Sequence, residues 1–146
     1  MVGWEAPDEA LKMECKLKHL EFIQGVISRM AANSFLLKGW SLTLVAAVFA
    51  LAAKDGNSTL VPVAYLPAIV FWFLDAYFLR QEKLYRALYD DVRSKGEQAI
   101  DFDLNAQRFS SSVDGYGKVL VSITLRWFHG VLLLTVIAVH ILTKVG

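Results

Sequence analysis

A single cysteine, Cys15, stands among the 146 residues, so no disulfide can close within the chain. It has no CxxC spacing and no Cys/His company, which suits a reduced, cytosol-facing position. The three histidines, His19, His129 and His140, are too scattered to suggest a metal cluster. HExxH, GxSxG and the phosphate-cradling GxxxxGK[ST] are all missing. An enzyme is therefore not expected, nor is a cofactor. Net charge is only +1, so bulk charge gives no footprint for a nucleic-acid partner. The first thirty residues mix both charge signs and lack an uninterrupted apolar core, so a cleavable signal peptide is not expected either.

What the chain has is apolar runs. Hydrophobic residues make up 55% of it, and mean hydropathy is +0.43. Soluble domains sit nearer 45–50% by the usual average. Residues 34–53, "SFLLKGWSLTLVAAVFALAA", and 60–79, "LVPVAYLPAIVFWFLDAYFL", each hold the roughly twenty residues that cross a bilayer. The polar turn "KDGNST" between them makes a helical hairpin. Residues 127–142 form a shorter third run. Residues 119–125 extend it, leaving Arg126 in need of a partner or a snorkelling path, or residues 119–126 form an interfacial turn. A soluble core helix is the alternative for a run this short. With three spans and an internal amino terminus, Lys54 and Lys144 lie outside and the other thirteen of fifteen basic residues lie inside. That asymmetry orients the chain in a plasma membrane, amino terminus cytosolic.

The expected fold is an all-α membrane protein with three transmembrane helices and cytosolic amphipathic helices, assembled as a homo-oligomer. Residues 1–33 hold a cytosolic amphipathic helix, 34–79 the hairpin, 80–118 a cytosolic helix and connector, and 119–146 the third transmembrane helix. Met13, Leu17, Leu20, Ile23, Ile27 and Met30 recur on one helical face from a start at Pro7 and Asp8. Lys12, Lys16 and His19 occupy another face. The plain reading of that face is solvated charge beside a packed helix; the sharper one is contact with an anionic ligand or headgroup. Leu84, Leu88 and Val92 continue the second helix past the membrane, with Glu82–Arg86 and Arg86–Asp90 at ion-pair spacing. Glycines and the Ser110–Ser112 run mark 94–118 as a connector containing at most a short helix.

Ionisable residues in or beside the spans are the informative ones, because such groups face a bundle interior or water. Lys38 lies four residues past Ser34, and Asp75 five residues before Arg80. In an antiparallel hairpin both stand about 6–8 Å inside one boundary and can meet. They form a structural ion pair or a snorkelling pair, or they line the inner mouth of a pore. Ser34, Lys38 and Ser41 share one stripe, with Arg29 and Asn33 beside it. Three helices are too few to enclose a water path, so any channel here needs several subunits.

The segments "EFIQGVISRMAANSFLLKGWSLTLVAAVFALAAKD" and "FWFLDAYFLRQEKLYRALYDDVR" resemble small bacterial membrane proteins of antiphage defence, the membrane effectors of Hailong-type systems. The similarity covers roughly residues 20–93. It implies a homo-oligomeric channel of the bacterial inner membrane whose opening stops growth of an infected cell. It further implies control by a short nucleic-acid oligomer made by a partner nucleotidyltransferase. On that implication the pore or gate residues are Arg29, Asn33, Ser34, Lys38, Ser41 and Asp75. The ligand would meet Lys12, Lys16, Lys18, His19, Arg86 and Arg93, with Tyr85 or Tyr89 stacking on bases. Two other functions fit the composition: a membrane anchor or adaptor that recruits a cytosolic partner through its helices, and a lipid-binding or membrane-remodelling protein.

Overall fold

The computed structural model describes residues 9–54, 56 and 58–145. The expected helix start at Pro7 and Asp8, and Asp55 and Asn57 of the polar turn, lie outside the described residues. Helix α1, Glu9–Lys54, runs unbroken for 46 residues, about 69 Å at 1.5 Å per residue. The amphipathic segment and the first span are one helix. Residues 28–40 carry the helix from one into the other without a break, since neither proline nor a positive-φ glycine interrupts them. The turn after α1 uses Gly56 at φ +58, the left-handed conformation that glycine adopts without a Cβ clash.

A 3-10 stretch, Ser58–Ala64, carries Pro62, and α2 then runs Tyr65–Ser94. The second helix accordingly begins later than residue 60. Pro67 falls in the first turn of α2, where a missing N–H costs nothing because that donor has no helical acceptor. The connector has two short 3-10 turns, Glu97–Ala99 and Ala106–Phe109, and helix α3, Tyr116–Leu120. Helix α4 spans Ile123–Val145. It is longer than the sixteen-residue run and starts later than 119; residues 119–122 close α3 and turn into it. Arg126 is exposed in its first turns, as a snorkelling residue would be.

Among the described residues, three helices are long and apolar enough to cross a membrane. No strand occurs among the described residues. α2 is the central element, and three packed zones follow one another along it. Ile23 and Ile27 of α1 meet Leu84, Leu88 and Val92 of α2, closed over by Ala106, Ile100, Phe109 and Val113 of the connector. At the other end Val45 meets Ala64, Ala68, Leu132 and Val136. Between them Ala76 packs on Val119 and Leu125, with Trp72 alongside. Small residues on α2 let α4 approach closely there, and Trp72 Nε1 donates to the Leu120 carbonyl at 3.0 Å. Of the predicted α1 stripe, only Ile23 and Ile27 are buried; Met13 and Leu17 are exposed.

Candidate functional site

Where the helices cross between the two end zones, beside the Ala76 contact, the interior is polar. Asp75 on α2 is fully buried. Its Oδ2 accepts from Lys38 Nζ of α1 at 2.6 Å and from His129 Nε2 of α4 at 2.9 Å. Its Oδ1 accepts from Ser34 Oγ of α1. Lys38 also donates to Ser34 Oγ at 2.9 Å. One carboxylate therefore ties all three long helices together.

Local sequence explains the convergence. Ser34, Lys38, Ser41 and Val45 step along α1 by 4, 3 and 4 residues, so they face α2 together. Leu125, His129, Leu132 and Val136 do the same on α4. Asp75 sits beside Ala76, whose small side chain leaves room for the neighbouring helix. A buried carboxylate is stable only when its oxygens are occupied by donors, and here both are. With Asp75 ionised, His129 must donate through Nε2–H. That fixes the proton of a neutral ring on Nε2 and leaves Nδ1 an acceptor. His129 Nδ1 and Ser41 Oγ are buried with no hydrogen-bond partner among the described residues. His129 is held by rings: it stacks on Trp72 at 5.9 Å between centroids and meets Phe128 edge-on at 5.0 Å.

The Ser34–Lys38 contact has the pairing of a Ser–Lys nucleophile dyad, but it does not activate the serine. A dyad lysine must be neutral to take the hydroxyl proton. Here Lys38 is committed as a cation to Asp75, and Ser34 donates to the same carboxylate.

The predicted pore set thus divides. Ser34, Lys38 and Asp75 come together, with Ser41 buried one turn on. Arg29 is exposed and Asn33 half-buried; neither joins the cluster. The residue that sequence reasoning missed is His129. The apolar run begins only at Trp127, whereas α4 starts at Ile123 and puts His129 well inside the helix. Its four-residue step from Leu125 on the buried stripe was the available signal.

On its flank the cluster borders a groove of about 710 Å³ between α1 and α4. Lys38 stands at its edge, 19% exposed along the side chain. Leu42, Phe49, Trp127, Val131 and Thr135 line the rest. The groove exists because α4 packs mainly on α2 and the 3-10 stretch, leaving α1 and α4 splayed. A second polar link joins the far ends of α2 and α4, where Tyr65 Oη and His140 Nδ1 lie 3.2 Å apart.

The predicted ligand set divides as well. Lys16 does not offer its charge to solvent: Nζ donates to the carbonyls of Lys95 at 2.7 Å and Arg93 at 3.3 Å, capping the end of α2. His19 is buried against Phe102, ring centroids 5.4 Å apart, so it does not belong to an exposed basic face. Burial also pushes its imidazole below the usual histidine range. Lys18 pairs with Glu21, Arg86 with Glu82, and Arg93 with Asp90. Lys12 is half-buried. Tyr85 and Tyr89 pack on the α1–α2 core.

The connector is held by its own ion network. Arg108 reaches Asp101 at 2.7 Å and Asp91 at 3.2 Å. Asp101, Asp103 and Asn105 each accept the backbone N–H two residues on. This ladder keeps Phe102 at φ 53 over His19. No group of three or more His, Cys, Asp or Glu residues suited to a metal occurs among the described residues. Comparison with protein-family models gives no match, and comparisons with curated proteins and with solved structures give none.

Proposed function

We propose that this chain is the subunit of a homo-oligomeric membrane pore, an antiphage effector of the bacterial inner membrane with its amino terminus in the cytosol. The observation that carries this reading is the buried Ser34–Lys38–Asp75–His129 cluster among three helices able to cross a membrane. Ionisable groups at such positions are costly, and where they occur they mark ion pathways and gates. The open flank between α1 and α4 supports assembly, because three helices leave the polar centre without a complete wall.

Control by a nucleotide or oligonucleotide from a partner nucleotidyltransferase is part of the same proposal. Of the basic residues assigned to that ligand, Lys18, Arg86 and Arg93 keep exposed side chains with single acidic partners. A phosphate chain has to exchange those pairs for its own. The anchor or adaptor reading draws on a different observation. Leu11, Leu17, Phe22, Phe102 and Leu104 are exposed around the amino-terminal end of α1, an apolar surface of the kind a soluble protein covers.

Two measurements separate these readings. The mass of the detergent-solubilised complex is expected to be several times that of one chain, and liposomes carrying it are expected to pass ions. A monomer, or a defined oligomer silent with and without oligonucleotides, refutes the pore. Depolarisation of cells expressing this protein alone counts against the adaptor.

A further inference from the structure

We infer that Asp75 is shared by two cations that exclude each other, so that a proton bound at His129 drives Lys38 out of the cluster and into the α1–α4 groove. The inference stands on the cluster's geometry and does not require the pore.

Lys38 Nζ and His129 Nε2 meet the same oxygen, Asp75 Oδ2, while Oδ1 is taken by Ser34. With His129 neutral the cluster holds one anion and one cation and is balanced. Its one unfilled basic atom is His129 Nδ1, buried and without a partner among the described residues. A proton arriving there puts two positive charges on a single carboxylate. Like charges at such range oppose each other strongly away from water.

Charge relief has few routes. In residues 22–54, 65–81 and 116–145, Asp75 is the sole acid. α1 contributes only Lys38 at this level. α2 contributes Asp75, with Arg80 five residues further along. α4 adds Arg126, which is exposed, and α3 places Val119 and Leu120 nearby, both apolar. No second carboxylate from these helices can take the extra cation. One of the two must leave. His129 is fully buried between Trp72 and Phe128 and has no exit. Lys38 is already partly exposed and borders the groove. Its four-carbon stem can lie in the groove while the ammonium turns back toward the Ser34 end of the span, where the inner boundary brings water. The neutral state is therefore Lys38⁺–Asp75⁻ with a neutral imidazole, and the protonated state is His129⁺–Asp75⁻ with Lys38 released.

The test reads Trp72, whose indole stacks on His129 and is quenched when that ring becomes an imidazolium. Trp4→Phe, Trp40→Phe and Trp127→Phe leave it as the sole tryptophan of the full chain in nanodiscs. Emission should fall as the pH is lowered and the ring takes up a proton. With His129→Gln, whose amide still donates to Asp75, it should stay flat. With Lys38→Met the competitor is gone, and the midpoint should move to higher pH, since coupling between two bound cations is reciprocal. An unquenched Trp72, or a midpoint indifferent to Lys38→Met, overturns the inference.

Should Lys38→Met fail to fold, groove hydration decides. In a Cys15→Ser background, the reaction of Thr124→Cys, which lines the groove near the start of α4, with a thiosulfonate is measured relative to the same protein carrying His129→Gln. That ratio should rise several-fold in acid; a constant ratio overturns the release of Lys38. Absence of ion flux with the Trp72 response intact removes the pore reading alone.

Discussion

At the scale of single residues, Asp75 decides most. Its carboxylate is fully buried, and its cost is met by donors from α1 and α4 together. Lys38→Ala leaves the charge with Ser34 and His129 only, and the loss of one partner of a buried pair costs about 3 kcal/mol. Unfolding in mixed micelles is expected to read that loss. The reversed pair, Lys38→Asp with Asp75→Lys, should recover part of that stability, because a neutral His129 can carry its proton on Nδ1 and accept from the new lysine through Nε2. Additive losses with no recovery would show that the two side chains do not pair.

Among elements, the connector shows how charge organises backbone. Lys16 caps the end of α2 by donating to its last carbonyls, groups that no helical N–H reaches. Lys16→Met should cost about 1 kcal/mol and speed amide exchange over residues 92–96. The Arg108 hydrogen bond, helped by the Asp103 amide, holds the Asp101 carboxyl below the usual carboxylate range; Lys118, then Lys83, do so for Asp114. A carboxyl held lower in the folded state stabilises above its unfolded pKa of about 3.9 and loses that stabilisation as pH falls through the folded value. Exchange across residues 101–114 should accordingly stay slow to about pH 4 and accelerate below it, while α2 remains protected. Early loosening near neutral pH would contradict this network.

For the whole molecule, the polar cluster separates two apolar zones strung along α2. Packing in one zone touches no residue of the other. Leu88→Ala should destabilise the Ile23–Leu88–Val92 zone by about 2–5 kcal/mol. Exchange should rise in the first half of α1 and the last half of α2, and protection around Val45, Ala68 and Val136 should persist. Uniform loss of protection would mean that the three long helices unfold as one unit. The open α1–α4 groove gives the molecule one weak flank, since α2 and the 3-10 stretch bridge those two helices, which touch each other little.

Much of this was legible in the sequence, and the reason is physical. Twenty apolar residues and a polar turn make a hairpin whatever surrounds them, and helical rise alone puts Lys38 level with Asp75. The four-residue steps of Ile23–Ile27 and Leu84–Leu88–Val92 likewise marked the faces that pack, although not that they pack on each other. Hydropathy could not find the true start of α4, because Arg126 and His129 lower it where the helix is already formed. Nor could it tell a solvated lysine from Lys16, whose partners are backbone carbonyls 77 and 79 residues away. The fourth member of the cluster depended on how α4 turns against α2. Local sequence determined each helix and the charge it carries. Only tertiary packing decided which charges are buried together, since that depends on the rotation and crossing of helices far apart in the chain.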